Sequence, residues 1–206
     1  MAERVAVFID WQNCYHCARD AFHRPTDPVN GGQIRPGAFA ELLADKGPPG
    51  RIVVHIGLYR GQPDPRLDPR THAAHSRQRA AWEAECGPLL ASRTRSLRYL
   101  SGRPLHEAQE KGVDVQLAID AMLLAASGAC DTVILATTDT DLLPVIEGIL
   151  TLKAQRGGPY VEVVGWAGLK RGLNVSGVPV RWVGPRDYAA IRDATDYNVP
   201  TTRRRS

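Results

Sequence analysis

The stretch 111-KGVDVQLAIDAMLLAASGACDTVILATTDTDLLPVIEGI-149 decides how this chain folds. Apolar residues recur at helical spacing through Val113, Leu117, Met122, Leu124 and Ala125, predicting a helix over 113–126 that Gly128 ends. A short β-branched apolar run over 131–137 then reads as a buried strand. Asp139 and Asp141 sit where that strand stops. A second helix is predicted over 141–155, with Asp141 as its N-cap, Pro144 tolerated in its first turn and Gly157 and Gly158 as its stop.

Working outward, the N-terminal stretch 4-RVAVFIDWQN-13 has the same grammar. An apolar run ends in Asp10, and Asn13 lies in the first turn of a helix predicted over 11–22. Further strands are predicted over 51–59, 95–100 and 160–165, with a short last one over 180–183. Helices are predicted over 39–46 and 70–86, with a small one inside 185–197. Strands alternating with helices predict a three-layer α/β/α sandwich around a mostly parallel sheet. One domain is expected over 1–185, followed by an extension over 186–206 whose basic tail is disordered. In such sheets functional groups gather outside the carboxyl ends of the strands, where Asp10 and Asp139 both fall.

Carboxylates packed together repel, and a hard divalent cation relieves the repulsion. Asp10, Asp114, Asp139 and Asp141 are the expected ligands for Mg2+ or Mn2+, with Asn13 orienting Asp10 or a water. A metal held this way activates water and stabilises charge on phosphate oxygens. Asp120 follows Asp114 by about 600° of helix, 240° net, and is expected on another face in a structural role.

The chain has 206 residues and a net charge of +4, unevenly distributed. Arg51, Arg60, Arg66, Arg70, Arg77, Arg79, Arg93, Arg95, Arg98, Arg103 and Lys111 crowd one segment, and Arg203, Arg204 and Arg205 close the chain. Arginines beside a carboxylate cluster suit a polyanionic substrate. Arg60, Arg103, Lys111 and Thr138 are candidate substrate contacts, and Trp11 either stacks on a base or belongs to the core. No phosphate-binding G-x-x-x-x-G-K-[ST] loop, dinucleotide fingerprint, serine elbow or H-E-x-x-H pattern is present. No run approaches the roughly 18 apolar residues of a membrane span, and no long apolar leader opens the chain. Cys14, Cys17, Cys86 and Cys130 lack a zinc or disulfide framework and read as reduced thiols. A cytoplasmic location in a bacterium with a GC-rich genome is expected.

Three segments carry a family likeness. VAVFIDWQN, EKGVDVQLAIDAM and DTVILATTDTDLLPVI resemble, in order and spacing, the three motifs of NYN domains. These form a PIN-like nuclease group that includes LabA-like bacterial proteins. The likeness covers roughly residues 4–165, and no counterpart is evident beyond. It implies a PIN-like sandwich and a metal-dependent endoribonuclease site built from Asp10, Asp114, Asp139 and Asp141 with Asn13 beside them. Two departures stand out: bulky Trp11 replaces a small residue after Asp10, and Thr137 or Thr138 replaces a serine. Single-stranded or structured RNA is the implied partner, with a protein partner or a second copy of the chain also compatible. A non-catalytic RNA-binding module and, less well matched to the arginine-rich segment, a phosphatase are the alternative readings.

Overall fold

The computed structural model describes residues 2–199 except 102, 103 and 171; the expected basic tail and the Arg103 contact lie outside them. Six strands, β1 (Glu3–Asp10), β2 (Arg51–Gln62), β3 (Leu90–Ser96), β4 (Thr132–Ala136), β5 (Tyr160–Trp166) and β6 (Val180–Val183), form one sheet. The order is β3-β2-β1-β4-β5-β6 and every neighbouring pair is parallel. The helices are α1 (Trp11–Phe22), α2 (Pro36–Asp45), α3 (Pro69–Cys86), α4 (Val113–Ser127), α5 (Leu143–Arg156) and α6 (Pro185–Ile191).

Alternation along β1 explains the three layers. Val5, Val7 and Ile9 enter one core with α1, α2, α3 and α6, while Ala6 and Phe8 enter the other with α4 and α5. All five residues are fully buried, as a parallel strand covered on both faces requires. Tyr188 and Ile191 belong to the first core, so α6, which spans the expected boundary at 185, packs as part of this body.

Two local expectations need correction. The third strand lies at Leu90–Ser96, ahead of the expected 95–100, because Leu90 to Ser96 align with Ile56 to Gln62. As an edge strand, β3 shows only a weak alternation of burial, so periodicity places it poorly. Asp141 is not a helix N-cap. Asp139 caps a 3-10 turn at Thr140–Leu142, accepting from the Asp141 N–H, and α5 begins only at Leu143. The first turn of α4 follows Gly112, whose φ of 72° favours glycine.

At the amino end of the strands, buried charge is compensated. Glu162 of β5 lies 2.8 Å from the Arg51 guanidinium and also pairs with Arg181, while Arg51 reaches Glu3 at 2.8 Å. Burial raises the Glu162 carboxyl, but hydrogen bonds from Arg181 and Arg51 outweigh it and hold the group below its ordinary 4.5. An acid depressed in the folded state stabilises above its unfolded value and loses that contribution as pH falls through the folded one. Glu162→Gln is therefore expected to cost about 3 kcal/mol in urea unfolding at pH 7, by stranding buried arginine charge. The deficit relative to the parent should shrink below pH 4.5. An equal deficit at pH 7 and pH 3.5 would contradict the ion-pair account.

Candidate active site

The sheet order reverses direction between β1 and β4, which pair from Val5↔Thr132 to Ile9↔Ala136. Connections from these two strands leave to opposite sides, opening a crevice at their carboxyl ends. Asp10 ends β1 and the loop carrying Thr137, Thr138 and Asp139 follows β4.

Asp10 is held on both oxygens. Its Oδ1 accepts from the Asn13 N–H at 3.2 Å, capping α1, and its Oδ2 accepts from the Thr137 hydroxyl at 3.1 Å. The Thr137 oxygen in turn accepts from the Asp139 N–H at 3.1 Å. Asn13 ties the loop from the other side: its Oδ1 accepts from the Thr138 N–H at 2.9 Å and the Thr138 hydroxyl at 3.1 Å. Below them the Cys14 thiol donates to the Ala136 carbonyl. All four cysteines are free thiols.

Asp10, Glu110 and Asp139 line an open basin of about 540 Å3, with His16 and Asp20 on the α1 side. Burial pushes the Asp10 carboxyl up to about 6, against its two hydrogen bonds, and the charges of Glu110 and Asp139 push the same way. Burial likewise raises Glu110, which the Gly61 N–H and Arg60 oppose and Asp114 reinforces. The charge of His16, which also lines the basin, opposes the rise of Glu110 as well.

The structure brings together only part of the expected constellation. Asp10 and Asp139 share the basin. Asp114, exposed in the first turn of α4, and Asp141, exposed in the 3-10 turn, stand outside its lining. Glu110 takes a place that sequence reading does not assign. Its one signal is its position immediately before Lys111 and Gly112, but nothing in a loop's sequence shows that the Gly61 N–H will draw its carboxylate to the end of β2. Asp120 accepts from the Tyr59 hydroxyl at 3.0 Å and from Gln116 at 2.9 Å, away from the basin.

Of the candidate substrate contacts, Trp11 takes the core alternative, and Arg60 is buried as well. Trp11 is 3% exposed, its ring 4.3 Å from that of Trp82. Arg60 is 4% exposed, packed 5.6 Å from both indole rings. The residue after Asp10 packs against Trp82 of α3 and is almost wholly buried, showing only a small part of its surface to a cavity between α1 and α3. Thr138 uses its donors on Asn13, and Lys111 is exposed near the rim.

Among the described residues no three His, Cys, Asp or Glu side chains are grouped to hold a metal ion by themselves. The donor chemistry nevertheless fits a hard divalent cation. Magnesium keeps several waters and needs only one or two carboxylates together with substrate phosphates, and a cation beside Asp10 would favour the charged form that burial disfavours. Both Asp10 oxygens retain an acceptor lone pair beyond the bonds described.

Two outcomes follow from this geometry. Asp10→Asn keeps a good N-cap and removes a carboxyl that binds its proton more tightly folded than unfolded. Such a group lowers stability as pH rises from 3.8 to about 6, and fully above that. In EDTA at pH 7.5 the variant should be more stable than the parent by roughly 1–2 kcal/mol, allowing for solvent screening of a half-buried group. A clear loss of stability there would contradict the frustrated-charge reading. Asn13→Ala should release the Thr138 N–H, speeding its amide exchange by about five- to tenfold, the equivalent of one lost hydrogen bond.

The sequence profile described as the NYN domain matches residues 4–173. No curated protein matches the chain. A crystal structure of a protein of unknown function from Vibrio parahaemolyticus shares the fold with a TM-score of 0.53 and 20% identity, over 89% of this chain and 93% of that one. The profile match runs from β1 past β5 and takes in all three strand ends that shape the basin. The chain therefore belongs to the NYN domain family, a group of PIN-like nucleases.

Proposed function

We propose that this protein is a metal-dependent endoribonuclease that hydrolyses phosphodiester bonds at the basin between β1 and β4. The observation that carries this reading is the half-buried Asp10 carboxylate facing Glu110 and Asp139 without a cationic partner among its contacts. Asp10 and Asp139, joined by Glu110, would hold Mg2+ or Mn2+, with Asp114 and Asp141 reaching in from the rim. A bound divalent ion supplies an activated water and charge stabilisation on the phosphate oxygens. Asn13, Thr137 and Thr138 act by position, fixing the 137–139 loop against α1 so that both carboxylates keep one relative placement. Lys111 at the rim supplies positive charge for the strand. Among the described residues no helix is long and apolar enough to cross a membrane, and a cytoplasmic enzyme acting on single-stranded or structured RNA is the corresponding cellular reading. A protein partner or a second copy of the chain remains part of that proposal.

The second reading, an RNA-binding module without turnover, is favoured by the absence of a preassembled three-ligand group among the described residues. The two part in one experiment. RNA, single-stranded DNA and a generic phosphate ester are each incubated with the full chain, with and without Mn2+. The expected result is RNA cleavage that requires Mn2+ and falls by about 100-fold or more in Asp10→Asn and in Asp139→Asn, as loss of several kcal/mol of charge stabilisation implies. Salt-sensitive RNA binding with no metal-dependent product would establish the second reading instead.

A further inference from the structure

Next to the acidic basin, with Gln12 as a shared wall, lies a second cavity of about 290 Å3 between α1 and α3. The buried Arg60 guanidinium lines it. Its Nη1 donates to Gln78 Oε1 at 2.7 Å. A guanidinium has no acceptor, so this bond fixes the Gln78 amide and leaves its Nε2 as a free donor. Gln78 is 3% exposed, and Gln78 Nε2, Arg60 Nε and Trp82 Nε1 are all buried donors without a protein acceptor. Among the described residues no carboxylate pairs with Arg60, and Glu110 acts on it only through space.

A buried cation that faces two indole rings but no anion, with unmet donors on its own side chain and on Gln78, is only partly compensated. Waters can satisfy donors but do not neutralise the cation. At ~30 Å3 per water the cavity has room for about ten, more than one phosphate group needs. His75 Nδ1 and Gln33 Oε1 are further buried polar atoms without partners at this cavity, suited to the hydroxyl and amino groups of a nucleoside. The shared wall puts such a ligand one step along a strand from the acidic basin.

We infer that this cavity binds a nucleoside phosphate unit, with phosphate oxygens on Arg60 and the Gln78 amide and the nucleoside filling the space towards His75 and Gln33. The inference deepens the ribonuclease reading and rests on it for the source of the unit, a nucleotide of the RNA strand next to the one cleaved. A free nucleotide offers the same chemistry.

The test uses the full chain in EDTA, so that binding is separated from turnover, and follows the tryptophan indole N–H resonances. The probes are 5′-CMP, cytidine, inorganic phosphate and a triribonucleotide. Expected is a shift of the indole of Trp11, which lines the cavity, with 5′-CMP and little change at Trp182, which is exposed on the edge strand β6. Cytidine and phosphate should each bind at least tenfold more weakly. Ala74→Phe, which fills the cavity without removing Arg60, should weaken 5′-CMP by at least tenfold, while Asp139→Asn should not. Thr71→Phe at the same cavity serves if Ala74→Phe does not fold. A triribonucleotide at least tenfold tighter than 5′-CMP supports a strand subsite; equal affinity supports a free-nucleotide site. An unmoved Trp11 indole, equal binding of cytidine, or unchanged affinity in the cavity-filled variant overturns the inference. Cleavage without 5′-CMP binding removes this site alone, whereas 5′-CMP binding without any cleavage removes the ribonuclease reading and leaves the site.

Discussion

A carboxylate kept half-buried at the end of the central strand is the constraint around which this protein is built. Asp10 lies where the sheet order reverses, so neighbouring chain on both sides must accommodate it. The backbone of α1 supplies one donor and the loop after β4 supplies another. Each bond serves two purposes: one starts a helix, and the other belongs to a chain running through Thr137 to the Asp139 backbone. With Asn13 bonded to Thr138, the first and third acidic segments are fixed to one another although they lie far apart in sequence. Yet these neutral donors do not overcome burial, and Asp10 stays well above its ordinary value.

The two ends of the same sheet treat buried acids in opposite ways. Glu162 is nearly inaccessible but carries two arginines, and it lies below the usual carboxylate range. Asp10 is more accessible, receives only neutral hydrogen bonds, and faces two further acids. Stability alone favours the first solution, because a compensated acid holds the strands together at neutral pH. The second solution works against stability unless something positive arrives from solution. That contrast, within a single sheet, separates a compensated acid from an uncompensated one on physical grounds that do not depend on the family.

Much of this is legible in the chain, for identifiable reasons. Strands buried on both faces write themselves as apolar runs, so β1, β2, β4 and β5 can be read, and an acid at the end of such a run has few places to go. Strand order cannot be read, because nothing local in β4 states that it will lie beside β1. The crevice between them is a property of topology. Edge strand β3 is misplaced by its sequence because its exposed residues have no strong alternation. Glu110 escapes notice and Trp11 stays undecided because both depend on what a distant element does: the Gly61 N–H in one case, Trp82 of α3 in the other. Asp139 and Asp141 exchange capping roles because a 3-10 turn intervenes before α5, and a two-residue spacing does not distinguish the two.

Charge counting misleads in the same way. The arginines between residues 51 and 111 suggest a broad basic surface, but the fold pairs several of them with acids or backbone carbonyls, at the surface as well as inside. Arg51 is locked between Glu3 and Glu162, Arg66 pairs with Asp64, Arg79 with Glu83, and Arg93 lies 3.5 Å from Asp120. Arg77 donates to the Tyr197 carbonyl, and Arg60 is buried. A paired arginine contributes little to the field that draws a polyanion from a distance. On the proposed reading, affinity for a nucleic acid strand would come from short-range contacts at the basin and its neighbouring cavity more than from long-range attraction. A buried arginine with no anion does little for steering but suits such short-range contact. It would meet a phosphate only after water has been displaced, in a medium where one charge-assisted contact counts for more than several on the surface.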